Sequence, residues 1–412
     1  MEVRLRKLCI SFITIFMVIL CPYQVWAAQS LSTVQAESYF LMDANSGVVL
    51  AEKDAETPRP PASMTKMMTH FIVLDEIKKG TIKWEDVVKI SARAASVNEG
   101  GIQLEPNDEL TVKDLFISSV VKSANDATIA LSEHVEGSEA KFVERMNAKA
   151  KEIGMKSTHF RNTTGLDMKD YGIYAPEVPG EHVMGAQDSA ILGDTLLRNH
   201  PEILTYTSIA NHIIHKGQKD ITINSSNLML PARNKQPYDG VDGLKTGHTT
   251  LAGYCFTSTA KKGDLRLISV VMKTKSDSER FVETKKLLDY AFEQYEEKTF
   301  VKKGAMVPGH ENMALPNGVD KSIEVQVQSD LRLPVEKGAS QSDYEYKVTF
   351  ASGVKAPIMA GTEIGKVEIL HQGKNIPGFK PISLVATKSV EEGSWIRLFF
   401  RSIGDEVSSW FS

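Results

Sequence analysis

The sequence is short of cysteine. Its 412 residues hold three, Cys9, Cys21 and Cys255. Three thiols make neither a cysteine-rich zinc site nor a disulfide framework, so the fold must rest on a packed core. An excess of one charge is also missing. The 48 Lys and Arg stand against 52 Asp and Glu, a net charge of −4. A nucleic-acid-binding surface normally shows a basic excess, so that class is set aside. The 10 histidines show no metal spacing such as H-x-x-x-H flanked by glutamate, which argues against a metallopeptidase. No internal repeat or low-complexity tract is present. What remains is ordinary: 42% apolar and 24% charged residues, near the globular average. At roughly 150 residues per domain the length suggests two or three domains.

The start of the chain is distinctive. Arg4, Arg6 and Lys7 precede an apolar run from Leu8 to Leu20, and Val25-Trp26-Ala27-Ala28 follows. A basic start, a short apolar run and a small-x-small exit describe a secretory signal peptide, with cleavage expected after Ala27. The alternative is an uncleaved anchor, but the run falls short of the roughly 20 residues a membrane-spanning helix needs. Cleavage removes three basic residues and one acidic one, leaving 385 residues at −6 with a single thiol, Cys255. That thiol lies in an apolar stretch and reads as core.

Ser38–Asp43 and Val48–Ala51 read as strands around the turn Ala44-Asn45-Ser46-Gly47. Helices are expected over Ala62–Lys79, from Thr111-Val112-Lys113-Asp114 (a capping pattern) to Val121, and over Asp126–Val135 and Phe142–Ile153. Tyr254–Thr259 and Leu265–Lys273 read as strands, and Ser278–Tyr295 as a helix. This order predicts an α/β (α+β) sandwich with an antiparallel sheet flanked by helices. From about Thr299 to Ser389, period-two stretches such as Ile323–Val327 and Tyr344–Val348 predict a small all-β domain. The expected division is a signal peptide (1–27), a first domain (28–297), an all-β domain (298–390) and a terminal segment (391–412). At 100° per residue, Trp395, Ile396, Phe399, Phe400, Ile403, Val407, Trp410 and Phe411 share an arc of about 160°. Arg397, Arg401, Asp405 and Ser408 lie opposite, with Leu398 and Glu406 as exceptions. This suits an amphipathic helix lying in a membrane interface, against the plainer alternative of a helix docked on its own β domain.

Three short motifs carry chemistry. In Ser63-Met64-Thr65-Lys66, helical spacing brings a hydroxyl and an amine to one face. Serine is a weak nucleophile without a base, and a lysine of lowered pKa supplies one. Ser123-Ala124-Asn125 offers a proton relay and an amide for a substrate carbonyl. Lys245-Thr246-Gly247-His248 offers carboxylate donors, with Gly247 allowing close backbone approach to a substrate. Each alone is commonplace: a capping serine, a polar loop, a strand-edge turn. In order, 60 and 122 residues apart, they form the triplet known from penicillin-binding proteins and class A β-lactamases.

With Pro61–Thr69, Gly165-Leu166-Asp167 and Val241–Thr249, the chain resembles the low-molecular-mass penicillin-binding proteins, the serine-type D-alanyl-D-alanine carboxypeptidases, from about Ala36 to its C-terminus. The resemblance implies a serine β-lactamase/transpeptidase-like catalytic domain with an all-β C-terminal domain and a terminal amphipathic helix. It implies peptidoglycan stem peptides and β-lactam antibiotics as partners, a membrane surface at the terminal helix, and no cofactor. Ser63 would be the nucleophile, Lys66 its base and Ser123 the relay. Asn125, Lys245, Thr246, Gly247 and His248 would bind substrate. The backbone N–H of Ser63 and one near His248 would form the oxyanion hole. Arg280 would stand on the carboxylate side, unless it is only a charge at a helix start. Ala124 replaces the glycine of many relatives. The stretch 168–187 looks longer than the family's, and no general-base glutamate is evident, Asp167 being the nearest carboxylate. A serine β-lactamase and a module that acylates without turnover remain alternatives.

Overall fold

The computed structural model describes residues 30–97, 99–217 and 219–409. The expected signal peptide, with Cys9 and Cys21, lies outside them, as do Trp410 and Phe411 of the terminal pattern.

The N-terminal hairpin β1 (Ser38–Asp43) and β2 (Val49–Lys53) leads through a 3-10 turn, Ala62–Thr65, into α1 (Lys66–Lys79). Next come β3 (Val87–Lys89), α2 (Ala92–Ser96), β4 (Glu109–Thr111), α3 (Val112–Ile117), a π-helical turn Ser118–Lys122, α4 (Asn125–Glu136) and α5 (Glu139–Glu152). After a 3-10 segment, Met168–Tyr174, follow α6 (Ala186–Asn199), α7 (Ile203–Thr207) and the hairpin β5 (Asn211–Lys216)–β6 (Lys219–Asn224). Then β7 (Val241–Thr249), β8 (Gly253–Lys262), β9 (Leu265–Thr274) and α8 (Asp277–Gln294) complete the first part.

Its sheet has the order β2-β1-β9-β8-β7, antiparallel throughout, so β7 is an edge strand. Period two divides the strands between two cores. Phe40, Met42, Ile268 and Val270 face the core shared with α1, α4 and α5, while Tyr39, Leu41, Leu267 and Val271 face the core shared with α8. Each large side chain so buried stabilises the fold by roughly 1.5–3 kcal/mol before entropy is counted. Side-chain caps set the helix starts. Thr111 Oγ1 accepts from Asp114 N at 3.1 Å to open α3, and Ser276 Oγ accepts from Glu279 N at 3.1 Å to open α8. Gly80, at φ 76°, closes α1 in the left-handed region that costs glycine little.

Three expectations change. Ser63 stands in a 3-10 turn before the helix, because Ala62 takes a left-handed φ of 48° and regular winding begins only at Lys66. The helix expected to end near Val121 passes into the π turn. Lys245 to His248 lie within β7 itself, held by pairing with β8, rather than in a turn before the strand.

The C-terminal part is β10 (Tyr295–Val301), β11 (Asn312–Ala314), β12 (Ser322–Val327), β13 (Leu331–Glu336), β14 (Tyr344–Phe350), β15 (Glu363–His371), β16 (Lys374–Asn375) and β17 (Ile382–Ala386), all paired antiparallel. The second core continues from Phe256 and Phe281 into Val325, Leu333, Val367 and Leu384. The β1–β2 turn docks on this part backbone to backbone: Val49 N donates to Pro377 O at 3.0 Å, and Lys380 N to Ser46 O at 2.9 Å. A Cβ at Gly47 would sit 2.6 Å from Gly378 O, so glycine is required there.

The terminal helix α9 (Trp395–Ser409) meets the β domain through its polar side, Arg401 donating to Gly318 O at 2.8 Å and Val319 O at 3.0 Å. Leu398, an exception to the amphipathic pattern, lies against Gly393. The apolar face stays open: Trp395 is 76% exposed, Phe399 55% and Phe400 67%. Among the described residues no helix is long and apolar enough to cross a membrane.

Candidate active site

Two glycines close two chain segments onto the Ser63 turn. A Cβ at Gly247 would stand 2.7 Å from Pro61 O and 3.2 Å from Met64 N. A Cβ at Gly165 would stand 1.8 Å from Ala62 O. The close approach expected of Gly247 towards a substrate is thus, in this structure, an approach of β7 to the serine turn. Half-buried Ser63 lies between an edge strand and the Gly165 loop.

Lys66 is 0% exposed. Its Nζ lies 2.9 Å from Ser63 Oγ, 2.6 Å from Asn125 Oδ1 and 2.8 Å from Thr164 O. Burial first, and the Lys245 ammonium second, push its pKa well below the ordinary lysine value, while Asp126 and Glu139 pull the other way. A neutral amine has two N–H groups and one lone pair. Asn125 Oδ1 and Thr164 O can only accept, so they take the two hydrogens and the lone pair is left for the Ser63 hydroxyl. That arrangement can remove a proton from serine as it attacks.

Asn125 opens α4. Its amide nitrogen donates to Glu99 O, so the 99–104 loop is tied to the lysine's partner. The buried Asp126 carboxylate accepts from Ile102 N at 2.9 Å and Leu104 N at 3.1 Å and fixes the same loop. Ser123 follows the π turn at φ 65°, a left-handed conformation that costs a non-glycine residue about 1 kcal/mol or more. It is half-buried, and the place beside Lys66 is taken by Asn125, not by Ser123.

On β7, buried Lys245 donates to Thr246 O at 2.9 Å. Burial, then the Arg280 guanidinium, pushes its pKa down to about 7. Thr246 Oγ1 meets Ser226 Oγ at 2.7 Å. His248 is exposed and stacks on its cross-strand partner Tyr254, with ring centroids 4.1 Å apart. Arg280 is 5% exposed; it donates to Gly247 O at 3.0 Å and pairs with Asp277. It therefore supports the β7 backbone as well as its own helix start. Cys255 is buried and its thiol is pushed up to about 11 by that burial.

Sequence reasoning missed Thr164, whose contribution is a carbonyl, and Ser226, which lies in a loop with no motif. It also missed Glu139. This buried carboxylate accepts from Thr163 N at 2.9 Å and from Arg93 at 2.5 Å. Ser138, a good N-cap residue whose side chain accepts from Lys141 N to open α5, is the signal that would have moved the helix start back from Phe142 to Glu139.

A helix-flanked antiparallel sheet, with an S-x-x-K serine facing a K-T-G edge strand, defines the class of penicillin-binding serine enzymes. A family model described as D-alanyl-D-alanine carboxypeptidase matches residues 24–276, and one described as penicillin-binding protein 5, C-terminal domain, matches 295–392. The chain belongs to the D-alanyl-D-alanine carboxypeptidase family. It is 33% identical over 372 residues to D-alanyl-D-alanine carboxypeptidase DacF of Bacillus subtilis, covering 90% of each chain. It is 31% identical to DacC of Escherichia coli, covering 96% of each. Penicillin-binding protein 5 of Haemophilus influenzae has a similar structure, with TM-score 0.74 and 31% identity, covering 89% of this chain and all of that one.

Proposed function

We propose that this protein is a serine D,D-carboxypeptidase that removes the terminal D-alanine from peptidoglycan stem peptides through an acyl-enzyme. The observation that carries the reading is the buried Lys66 amine, 2.9 Å from Ser63 Oγ with two acceptors fixing its hydrogens. Ser63 Oγ attacks the carbonyl between the last two D-alanines and Lys66 takes its proton. The C–N bond breaks, D-alanine leaves with that proton delivered through Lys66 and Ser123, and a serine ester remains. Water hydrolyses the ester and restores the hydroxyl. The Ser63 N–H and one near His248 hold the oxyanion. Lys245 and Thr246 bind the substrate carboxylate, which also restores charge to a lysine poised near neutrality. Asn125 holds the substrate amide with its second N–H, Gly247 and His248 border the bound peptide, and Arg280 acts on the carboxylate side through Gly247 O. A β-lactam, also an amide carbonyl, acylates the same serine.

The division into signal peptide 1–27, catalytic domain 28–297, β domain 298–390 and terminal segment 391–412 belongs to the same proposal. So does an exported enzyme held at the outer face of the cytoplasmic membrane by α9, supported by the open apolar face of that helix. The deciding experiment incubates purified protein with a peptide ending in D-Ala-D-Ala and, separately, with a fluorescent penicillin. Steady D-alanine release and covalent labelling are expected. Labelling without release would leave a module that acylates without turnover; rapid loss of label with antibiotic hydrolysis would favour a β-lactamase. Deleting Trp395–Ser412 is expected to move the protein from the membrane to the soluble fraction with D-alanine release retained. A truncated protein still sedimenting with membranes would rule out the anchoring role.

A further inference from the structure

The segment 168–187, longer than the resemblance to the family implies, sends several side chains inward, among them Met184, Ala186 and a tyrosine. Tyr171, in the 3-10 segment Met168–Tyr174, is 3% exposed. Its hydroxyl lies 2.5 Å from Thr164 Oγ1 and donates to Glu139 Oε1 at 3.1 Å. We propose that Tyr171 is a positioning residue for Lys66, acting through Thr164, whose carbonyl takes one hydrogen of the lysine amine. This rests on the acyl-enzyme reading above.

The direction of the chain follows from its ends. Glu139 is the only carboxylate in it, held by Arg93 and by Thr163 N and Oγ1, so it accepts. The phenol has one hydrogen and gives it to Glu139. Thr164 Oγ1 then donates to the Tyr171 oxygen in preference to its longer 3.4 Å contact with Asn162 Oδ1. Leu166 N donates to Thr164 Oγ1 at 3.2 Å, and Gly165 N to Asn162 Oδ1 at 2.7 Å. Thr163 O accepts from Thr69 Oγ1, three residues beyond Lys66, at 3.0 Å. The turn is thereby held on both sides of its one functional group, the Thr164 carbonyl 2.8 Å from Lys66 Nζ. Loss of the phenol hydroxyl takes the shortest partner from Thr164 Oγ1, leaving only the longer contacts with Asn162 Oδ1 and Leu166 N, and lets that carbonyl drift. The amine lone pair is then aimed at Ser63 less well. A carbonyl acceptor also favours the ammonium over the amine, so its loss lowers the proton affinity of Lys66. The charged groups facing Lys66 are Lys245 from β7, Asp126 from α4 and Glu139 from α5. His70 on α1 and His182 in the segment are both held neutral by burial, His182 at about 3, and the Tyr171 phenol is held protonated.

The test measures the second-order rate of acylation of the full-length protein by a fluorescent penicillin as a function of pH. Tyr171→Phe and Thr164→Val are each expected to lower that rate about tenfold, the scale of a modest misplacement of a reacting group. Each should also move the acid limb of the profile to lower pH. Because both break one chain, the double variant should be no slower than either single. Thermal unfolding and the fraction finally labelled confirm that the variants fold. A Tyr171→Phe profile that superimposes on the wild type overturns the inference, as does a reduced labelled fraction with an unchanged profile, or losses that multiply in the double variant. A wild type that takes no label overturns the acyl-enzyme reading and this inference together.

Discussion

Ser63→Ala is expected to leave a folded protein that neither releases D-alanine nor takes a covalent penicillin label. Removing the nucleophile of a serine–base unit costs at least about ten-thousandfold in turnover, since the remaining donors can bind substrate but form no ester. Among the described residues, the hydroxyls that meet a ring nitrogen, Thr65 Oγ1 at His182 Nε2 and Ser119 Oγ at His70 Nε2, are both on fully buried residues, out of a substrate's reach. Asn125, not Ser123, occupies the position beside Lys66. Ser226 Oγ is engaged with Thr246. The Cys255 thiol is buried and far from ionisation at neutral pH. The stability cost should be small. Ser63 is half-buried and loses one hydrogen bond, worth about 1 kcal/mol, or roughly 2–4 °C in melting temperature. Electrophoresis after labelling and a D-alanine assay read the two activities, and calorimetry reads the fold. A Ser63→Ala protein that still labels would remove Ser63 as the nucleophile.

Lys66→Met should be nearly as inactive, losing about 10²–10⁴-fold in acylation, the usual worth of a positioned general base. Lys66→Arg should fare no better, because a guanidinium does not give up its proton. Stability separates Lys66→Met from a simple cavity mutant. In the folded protein the pKa of Lys66 is lowered well below 10.5, so between that lowered value and 10.5 the unfolded chain binds a proton that the folded chain does not. Wild-type stability therefore carries a term that rises with pH across this window. Methionine has no such term. The stability of Lys66→Met relative to wild type should accordingly be most favourable at acid pH and decline as pH approaches 10.5. Denaturant unfolding at a series of pH values measures the difference. A difference that stays flat or grows with pH would show that Lys66 is charged in the folded protein.

Much of the catalytic core was legible because it is local. The β1–β2 hairpin has alternating apolar residues around an Ala-Asn-Ser-Gly turn, and α8 has a strong apolar stripe. The motif triplet fixed which residues to follow through the chain. Other parts depend on tertiary context. β7 reads Val-Asp-Gly-Leu-Lys-Thr-Gly-His-Thr, with two glycines and a central lysine, all poor strand formers. Pairing with β8 and the need to pass within van der Waals reach of the Ser63 turn make it a strand. β5 and β6 are mostly polar, α6 follows a stretch with Pro176 and Pro179 that hides its start, and α7 is only five residues long. The third partner of Lys66 was beyond sequence reasoning altogether, because every residue has a carbonyl and only the fold says which one is aimed.

The backbone joint at Gly47 and Gly378 has a consequence for how this chain should be divided. The two family models part company between residues 276 and 295, and evolution can treat the segments on either side as separate pieces. The packing does not part there. One apolar core runs from the sheet through α8 into the β strands, and the β1–β2 turn is stitched to the loop before β17 by main-chain hydrogen bonds at a joint that has room only for glycine at 47 and 378. The unit of inheritance and the unit of cooperative folding are therefore different lengths of this chain. A catalytic segment cut out at residue 276 would expose an apolar wall that its natural neighbour covers.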